Sequence, residues 1–208
     1  MFETYRLVCN MDRRNNTRQY ILEKAIETIY ENGFQATSID KILNNTEVTK
    51  GAFYYHFKSK EEMGLAVINE IIASSLAENL IEPLSRGKAT TETIYLTFEN
   101  FMLNSTEVEI RYGCIMNNLI QEMAPINQMF ADALFTLIEK WTNEMTRVLK
   151  EAQSNGNFPK EIDAKETAAF VITSYEGARN LGKLYNSMDY YHLFLKQLKF
   201  YLRNENNS

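Results

Sequence analysis

Thr37-Ser38-Ile39-Asp40-Lys41-Ile42-Leu43-Asn44-Asn45-Thr46-Glu47-Val48-Thr49-Lys50-Gly51-Ala52-Phe53-Tyr54-Tyr55-His56-Phe57-Lys58-Ser59-Lys60-Glu61-Glu62 crowds three helix-start signals into one short run. Thr37-Ser38 offers an N-cap with Asp40 three residues after Thr37, Thr49 offers a second, and Ser59 with Glu62 has the spacing of a capping box. The first helix turns Ile39, Ile42 and Leu43 inward; after a turn of about four residues the second turns Val48, Phe53 and Phe57 inward. That is the layout of a helix-turn-helix over about residues 38–57. The outward face of the second helix holds Thr49, Lys50, Gly51, Ala52, Tyr54 and Tyr55. A Thr hydroxyl and free backbone N–H groups at a helix start suit a phosphate, Lys50 supplies charge, and small Gly51 and Ala52 permit close entry into a major groove. Tyr54 and Tyr55 have the reach for sugar, phosphate or a thymine methyl. A small surface helix of a bundle, with both tyrosines packed, fits the same spacing, so spacing alone leaves both readings open.

Outward from this run the chain reads as helices. From Thr17, Ile21, Leu22, Ala25, Ile26, Ile29 and Tyr30 make one apolar stripe that Asn32-Gly33 ends. After Ser59 one helix runs toward Pro83, and beyond Arg86-Gly87-Lys88 another carries Ile94, Phe98, Phe101 and Met102. A segment from Cys114 to Met123 precedes Pro125, and an amphipathic stretch from about Asn127 to Gln153 closes at Ser154-Asn155-Gly156. Asp163 with Glu166 opens a helix to about residue 186, and a last one runs from about Asp189 to Leu202. Eight glycines and three prolines in 208 residues agree with long helices and few turns, so the expected fold class is all-α.

Composition narrows the function. The chain carries 22 Lys and Arg against 27 Asp and Glu, which argues against coating nucleic acid by bulk charge. Residues 1–60, however, hold nine basic against seven acidic residues, a net of +2, whereas residues 61–208 hold 13 against 20, a net of −7. Cys9 and Cys114 make no disulfide framework, and the Cys and His residues have no zinc spacing. No signal peptide and no apolar run of about 20 residues is apparent, so the expectation is a cytoplasmic protein with no membrane role, no metal and no cofactor. Translation starting at Met11 is as consistent with the sequence as a start at Met1.

Enzymatic motifs are absent or broken. Gly177-Ala178-Arg179-Asn180-Leu181-Gly182-Lys183 imitates a phosphate-binding loop, but Leu184 replaces the required Ser or Thr and the segment continues a helical pattern. Small residues that let helices pack closely explain it better. With His56 and His192 the only histidines, a His-centred catalytic site has little material.

Gly33-Phe34-Gln35-Ala36-Thr37-Ser38-Ile39, followed by Val48 through Glu62 with its Tyr54-Tyr55-His56-Phe57 ending, closely resembles the N-terminal domain of the TetR family of bacterial transcriptional regulators. The resemblance spans about Thr17 to Leu65. It implies a three-helix DNA-binding domain over residues 14–62 and a larger, antiparallel helical ligand-binding and dimerisation domain over 63–204. It further implies a homodimer on a palindromic double-stranded operator, usually a repressor released by a small-molecule effector. By position, Thr37, Thr49, Tyr55, His56 and Lys60 would hold the DNA backbone, while Lys50, Gly51, Ala52 and Tyr54 would face the bases. Two residues depart from the family pattern: Glu47 stands where glycine is usual, and Ala52 where Thr or Ser is common. Arg13, Arg14 and Arg18 form either a DNA-contacting arm or a solvated one. The rival readings are a helical protein-interaction module and an enzyme or carrier.

The remainder of the chain is less specific. Phe98, Phe101, Met102, Cys114, Asn118, Phe170 and Tyr175 are candidates for surrounding an apolar or aromatic effector, although any helical core has such residues. Arg111-Tyr112-Gly113-Cys114 resembles a stretch in one branch of the family whose cysteine lines the ligand cavity. A reactive thiol and a buried inert one both fit it. By resemblance the last two helices pair across a two-fold axis, with Ala168, Ala169, Ile172, Leu193, Phe194, Leu198 and Tyr201 as interface candidates.

Overall fold

The computed structural model describes residues 17–44 and 46–204, so Cys9, Arg13 and Arg14 lie outside it. Ten helices follow in order among the described residues: α1 Thr17–Asn32, α2 Ile39–Leu43, α3 Lys50–His56, α4 Lys60–Ser85, α5 Thr91–Leu103, α6 Glu107–Tyr112, α7 Ile115–Met123, α8 Gln128–Ser154, α9 Ala164–Tyr185 and α10 Asp189–Asn204. No strand occurs among these residues. The expected all-α class is observed.

The helix starts follow from side-chain caps. Ser38 accepts the Lys41 N–H, Thr49 that of Ala52, Ser59 that of Glu62, and Asp163 those of Lys165 and Glu166, each cap worth about 1 kcal/mol. Two details differ from the sequence expectation. The α2 cap is Ser38 alone, because Thr37 is turned inward and donates to Gly33 O at 2.7 Å. Glu62 accepts from Lys58 N at 2.9 Å, one residue ahead of the Ser59 cap. Helix α6, which the sequence reading passed over, opens on a full capping box between Thr106 and Glu109.

Helix α4 meets the length and composition of a bilayer span, with a mean hydropathy of 1.3 over its most apolar 18 residues, against the expectation of no such run. Met63, Val67, Ile68, Ile71, Leu76, Leu80 and Leu84 along it are buried in protein, as in the core helix of a folded domain. Two stretches, Val67–Ile72 and Ala77–Ile81, are π-helical.

The chain divides into two compact units. In the first, the described residues up to Ser75 combine with Ile115–Phe135. Ile21, Leu22, Ala25 and Ile26 of α1, Ile42 of α2, Phe53 of α3 and Val67 and Ile68 of α4 are each at most 1% exposed and form its core. The unit therefore includes α7, which the sequence placed with the C-terminal domain; Ile115, Met116, Leu119 and Met123 are its buried face. The second unit comprises Leu76–Cys114 and Thr136 onward. Its centre is an aromatic cluster in which Phe98 lies 5.9 Å from Trp141, 5.2 Å from Tyr175 and 5.5 Å from Phe194, centroid to centroid. Gly182 lets α9 and α10 approach, since a Cβ there would stand 2.5 Å from a Tyr191 ring carbon. The close-packing account of Gly182 in the loop-like heptapeptide is thus the observed one.

Candidate nucleic-acid interface

The turn between α2 and α3 is held by its own polar groups. Thr46 donates its hydroxyl to Leu43 O at 2.7 Å and accepts the Val48 N–H at 3.2 Å. Glu47 is exposed in this turn. Phe53, fully buried, and Phe57, 1% exposed, anchor α3. With those rings inward, Lys50, Gly51, Tyr54 and Tyr55 face solvent, and Tyr55 is 84% exposed. Ala52 and His56 are half-buried at the edges of this face.

Each exposed group keeps chemistry to offer. Thr49 uses its oxygen as an acceptor from Ala52 N at 3.1 Å, which leaves its hydroxyl proton for an external acceptor. Lys50 pairs with Asp40 at 2.8 Å, both ends exposed, and that hydrogen bond holds the Lys50 pKa above its usual value. A Cβ at Gly51 would meet only Thr49 Oγ1, at an ordinary 3.7 Å. Nothing among the described residues requires glycine there. Lys60 donates to Phe34 O at 3.1 Å and Gln35 O at 3.3 Å, with its ammonium 4.5 Å from the Phe34 ring centroid, so part of its donor capacity is spent within the unit.

Two residues named from the sequence stand elsewhere. Thr37 has no exposed surface and its hydroxyl serves Gly33 O, so it fastens the α1–α2 turn rather than reaching a phosphate. Arg18 is paired with Glu70 through two hydrogen bonds that lower the Glu70 pKa, and its guanidinium lies 5.1 Å from the Phe57 ring centroid. It belongs to the folded unit, not to an arm.

In the second unit Phe98, Phe101, Met102 and Tyr175 are buried together, and Cys114 is half-buried. Asn118 sits on α7, in the first unit. Phe170 corrects the sequence reading: it is 56% exposed on the outside of α9, against Tyr201 at 5.2 Å. The most apolar stripe of each terminal helix likewise turns into its own protomer, so Ala168, Ile172, Phe194 and Leu198 are buried core. Ala169 and Leu193 stay exposed and Tyr201 is half-buried.

Sequence reasoning missed a polar cluster beside the aromatic one. Arg179, 5% exposed, donates to Tyr175 Oη at 3.0 Å and to Gly113 O at 2.8 Å. The Glu176 carboxylate oxygens and the Tyr191 hydroxyl are buried in the same cluster. Burial pushes the Glu176 pKa up, opposed by the Arg179 charge and by Cys114. The Tyr175 phenol rises well above its ordinary value for the same reason. The available signal was positional: Glu176 and Arg179 interrupt the buried stripe Val171, Ile172, Tyr175 and Ala178.

A buried hydrophobic scaffold presenting one short helix whose outer face is Lys50, Gly51, Tyr54 and Tyr55 defines a protein of the helix-turn-helix class. The chain matches the family model for bacterial regulatory proteins of the tetR family over residues 21–67 and that for the tetracyclin-repressor-like C-terminal domain over residues 91–198. It belongs to the TetR family of transcriptional regulators. Among its relatives, the HTH-type transcriptional repressor DhaR of Mycobacterium sp. is 27% identical over 172 residues, covering 79% of this chain and 81% of that one. An HTH-type regulator from the lacX 3' region of Lactococcus lactis is 31% identical over 147 residues, covering 69% and 75%. A crystal structure of a regulatory protein TetR from Rhodobacter sphaeroides superposes with a TM-score of 0.78 at 28% identity, covering 86% of this chain and 95% of that one.

Proposed function

We propose that this regulator binds a palindromic operator as a homodimer, represses transcription there, and lets go when a small apolar or aromatic effector enters its second unit. Such a regulator acts in the cytoplasm, where its DNA is, and performs no catalytic step. The observation that carries the reading is the exposed face of α3: Lys50, Gly51, Tyr54 and Tyr55 project from a helix whose other side is fully buried. Thr49, Ala52, His56 and Lys60 flank that face and complete the DNA-contacting set; Thr37 is left out of it because its hydroxyl is internal.

The dimer reading rests on exposed apolar side chains of the two terminal helices. Phe170 and Leu184 on α9, and Leu193 and Phe200 on α10, are between 50% and 72% exposed. Ala169, Thr173 and Gly177 lie exposed on α9 as well. Single exposed apolar residues are ordinary, but several on two adjoining helices suit a partner surface. For the effector, Phe98, Phe101, Met102 and Tyr175 supply apolar and aromatic walls, and Cys114 and Glu176 supply polar groups in the same unit.

The test is binding of fluorescent duplexes obtained by sequencing genomic fragments that the protein retains. Affinity is expected to fall steeply with salt and to drop at least tenfold on Tyr55→Ala. Equal affinity of wild type and Tyr55→Ala for every retained fragment refutes the assignment of α3.

A further inference from the structure

Glu122, near the end of α7, grips the turn from which the DNA-reading helices start. One carboxylate oxygen accepts the Phe34 N–H at 2.8 Å and the other the Gln35 N–H at 2.8 Å. The turn is shaped for this grip. Gly33 has φ +81°, and a Cβ on it would stand 3.1 Å from both Glu122 oxygens, so glycine supplies the backbone conformation and also leaves room for the carboxylate. From the other side Lys60 donates to the Phe34 and Gln35 carbonyls. Phe34 itself is 2% exposed and packs 4.8 Å from Phe130, centroid to centroid. Both amides and both carbonyls of one dipeptide are therefore fixed by side chains from distant parts of the sequence. Three residues further on, Ser38 caps α2.

We propose that Glu122 is a positioning residue for operator recognition: by holding the Phe34 and Gln35 amides it fixes the turn that sets α2, and with it α3, at the angle the operator requires. This rests on the reading of α3 as the DNA-contacting helix. A carboxylate accepting two backbone N–H groups is a strong, directional tie, and no neutral side chain of the same length reproduces it with both oxygens.

Charge and position predict opposite signs. Glu122→Ala removes a negative charge from a DNA-binding unit, so electrostatics alone would tighten binding to any duplex. Loss of positioning weakens binding to the operator and leaves a random-sequence duplex unaffected or slightly better bound. The experiment compares the full-length wild type, Glu122→Ala and Glu122→Gln on an operator duplex and on a random duplex, with amide hydrogen exchange followed at residues 34 and 35. The expected result is at least a tenfold loss of operator-over-random preference for Glu122→Ala, an intermediate loss for Glu122→Gln, and faster exchange at both amides in each. A structural defect alone would instead reduce both duplexes together, and that outcome overturns the proposal. So does an unchanged preference with unchanged exchange. A wild type that prefers no duplex fails the DNA reading itself, which the comparison with random sequence separates from failure of Glu122. Should Glu122→Ala not fold, the Glu122→Gln preference and exchange decide.

Discussion

Gly64→Ala adds one methyl group at the most crowded point of the first unit. Its Cβ would fall 2.4 Å and 3.0 Å from two ring carbons of Phe34 and 2.7 Å from one of Phe130. Both rings are at most 2% exposed and already 4.8 Å apart, centroid to centroid, so the added methyl group must push buried rings aside. Inserting a methylene-sized group into a packed core costs roughly 1–3 kcal/mol, and displacing two aromatic rings puts this site near the top of that range. Against it stands the gain of replacing helical Gly by Ala, about 1 kcal/mol. The net is a destabilisation of about 2 kcal/mol, or a fall in Tm of about 4–8 °C for a chain of this size. The assay is thermal unfolding followed by circular dichroism, with Gly51→Ala as the control, since its Cβ makes only an ordinary contact. Gly51→Ala should leave Tm unchanged or raise it slightly. A Gly64→Ala Tm equal to or above wild type would refute the packing argument.

Glu176→Gln should stabilise the protein at neutral pH. The folded-state pKa is raised, so burying the ionised group costs stability above the ordinary carboxylate pKa of about 4.3; the gain in Tm should shrink as pH falls toward 4, and a larger gain at pH 4 than at pH 7 would contradict the assignment. Phe170→Glu combined with Leu184→Glu should give a monomer by sedimentation at micromolar concentration, with helix content kept; an unchanged dimer would move the interface elsewhere. Asp40→Asn frees Lys50 and should tighten operator binding several-fold at low salt, whereas Lys50→Ala should weaken it and lower the salt slope by about one. Equal affinities for Asp40→Asn and wild type would show that the pair does not compete with DNA.

The reading end of the molecule is legible in its sequence because its rules are local. Ser38, Thr49 and Ser59 announce helix starts, Gly33 announces a stop, and Phe53 and Phe57 can face only inward once the helix is granted. What escapes is whatever depends on an unseen neighbour. Thr37 and Ser38 are equivalent as cap signals, and burial of one hydroxyl chooses between them. Helices α9 and α10 carry apolar residues on more than one side, so periodicity alone could not tell the protomer's core, with Ala168, Ile172, Phe194 and Leu198, from the face left outside, with Phe170, Leu184 and Phe200. Glu122 and Glu176 look like ordinary helix-surface acids in sequence. One meets two backbone amides 87 and 88 residues away, and the other is shut in beside an aromatic cluster.

The α3 face departs from what the chain itself needs, and the departures share one direction. Gly51 holds a helical position where alanine would be better by up to about 1 kcal/mol and would touch nothing unusual. Tyr55 is 84% exposed, which removes little apolar surface from water in the free protein. Lys50 is paired only at the surface, where such a bond contributes little to stability. Among the described residues, a glycine without a close neighbour, a largely uncovered tyrosine and a cation paired only at the surface on adjacent turns add little to folding. The proposed operator contact would account for all three: the missing side chain would admit a phosphate backbone, the ammonium would exchange a carboxylate for a phosphate, and the ring would gain a face to cover. Buried Phe53 and Phe57 supply the rigidity that makes those departures tolerable, because they fix α3 without using any group on its outer face.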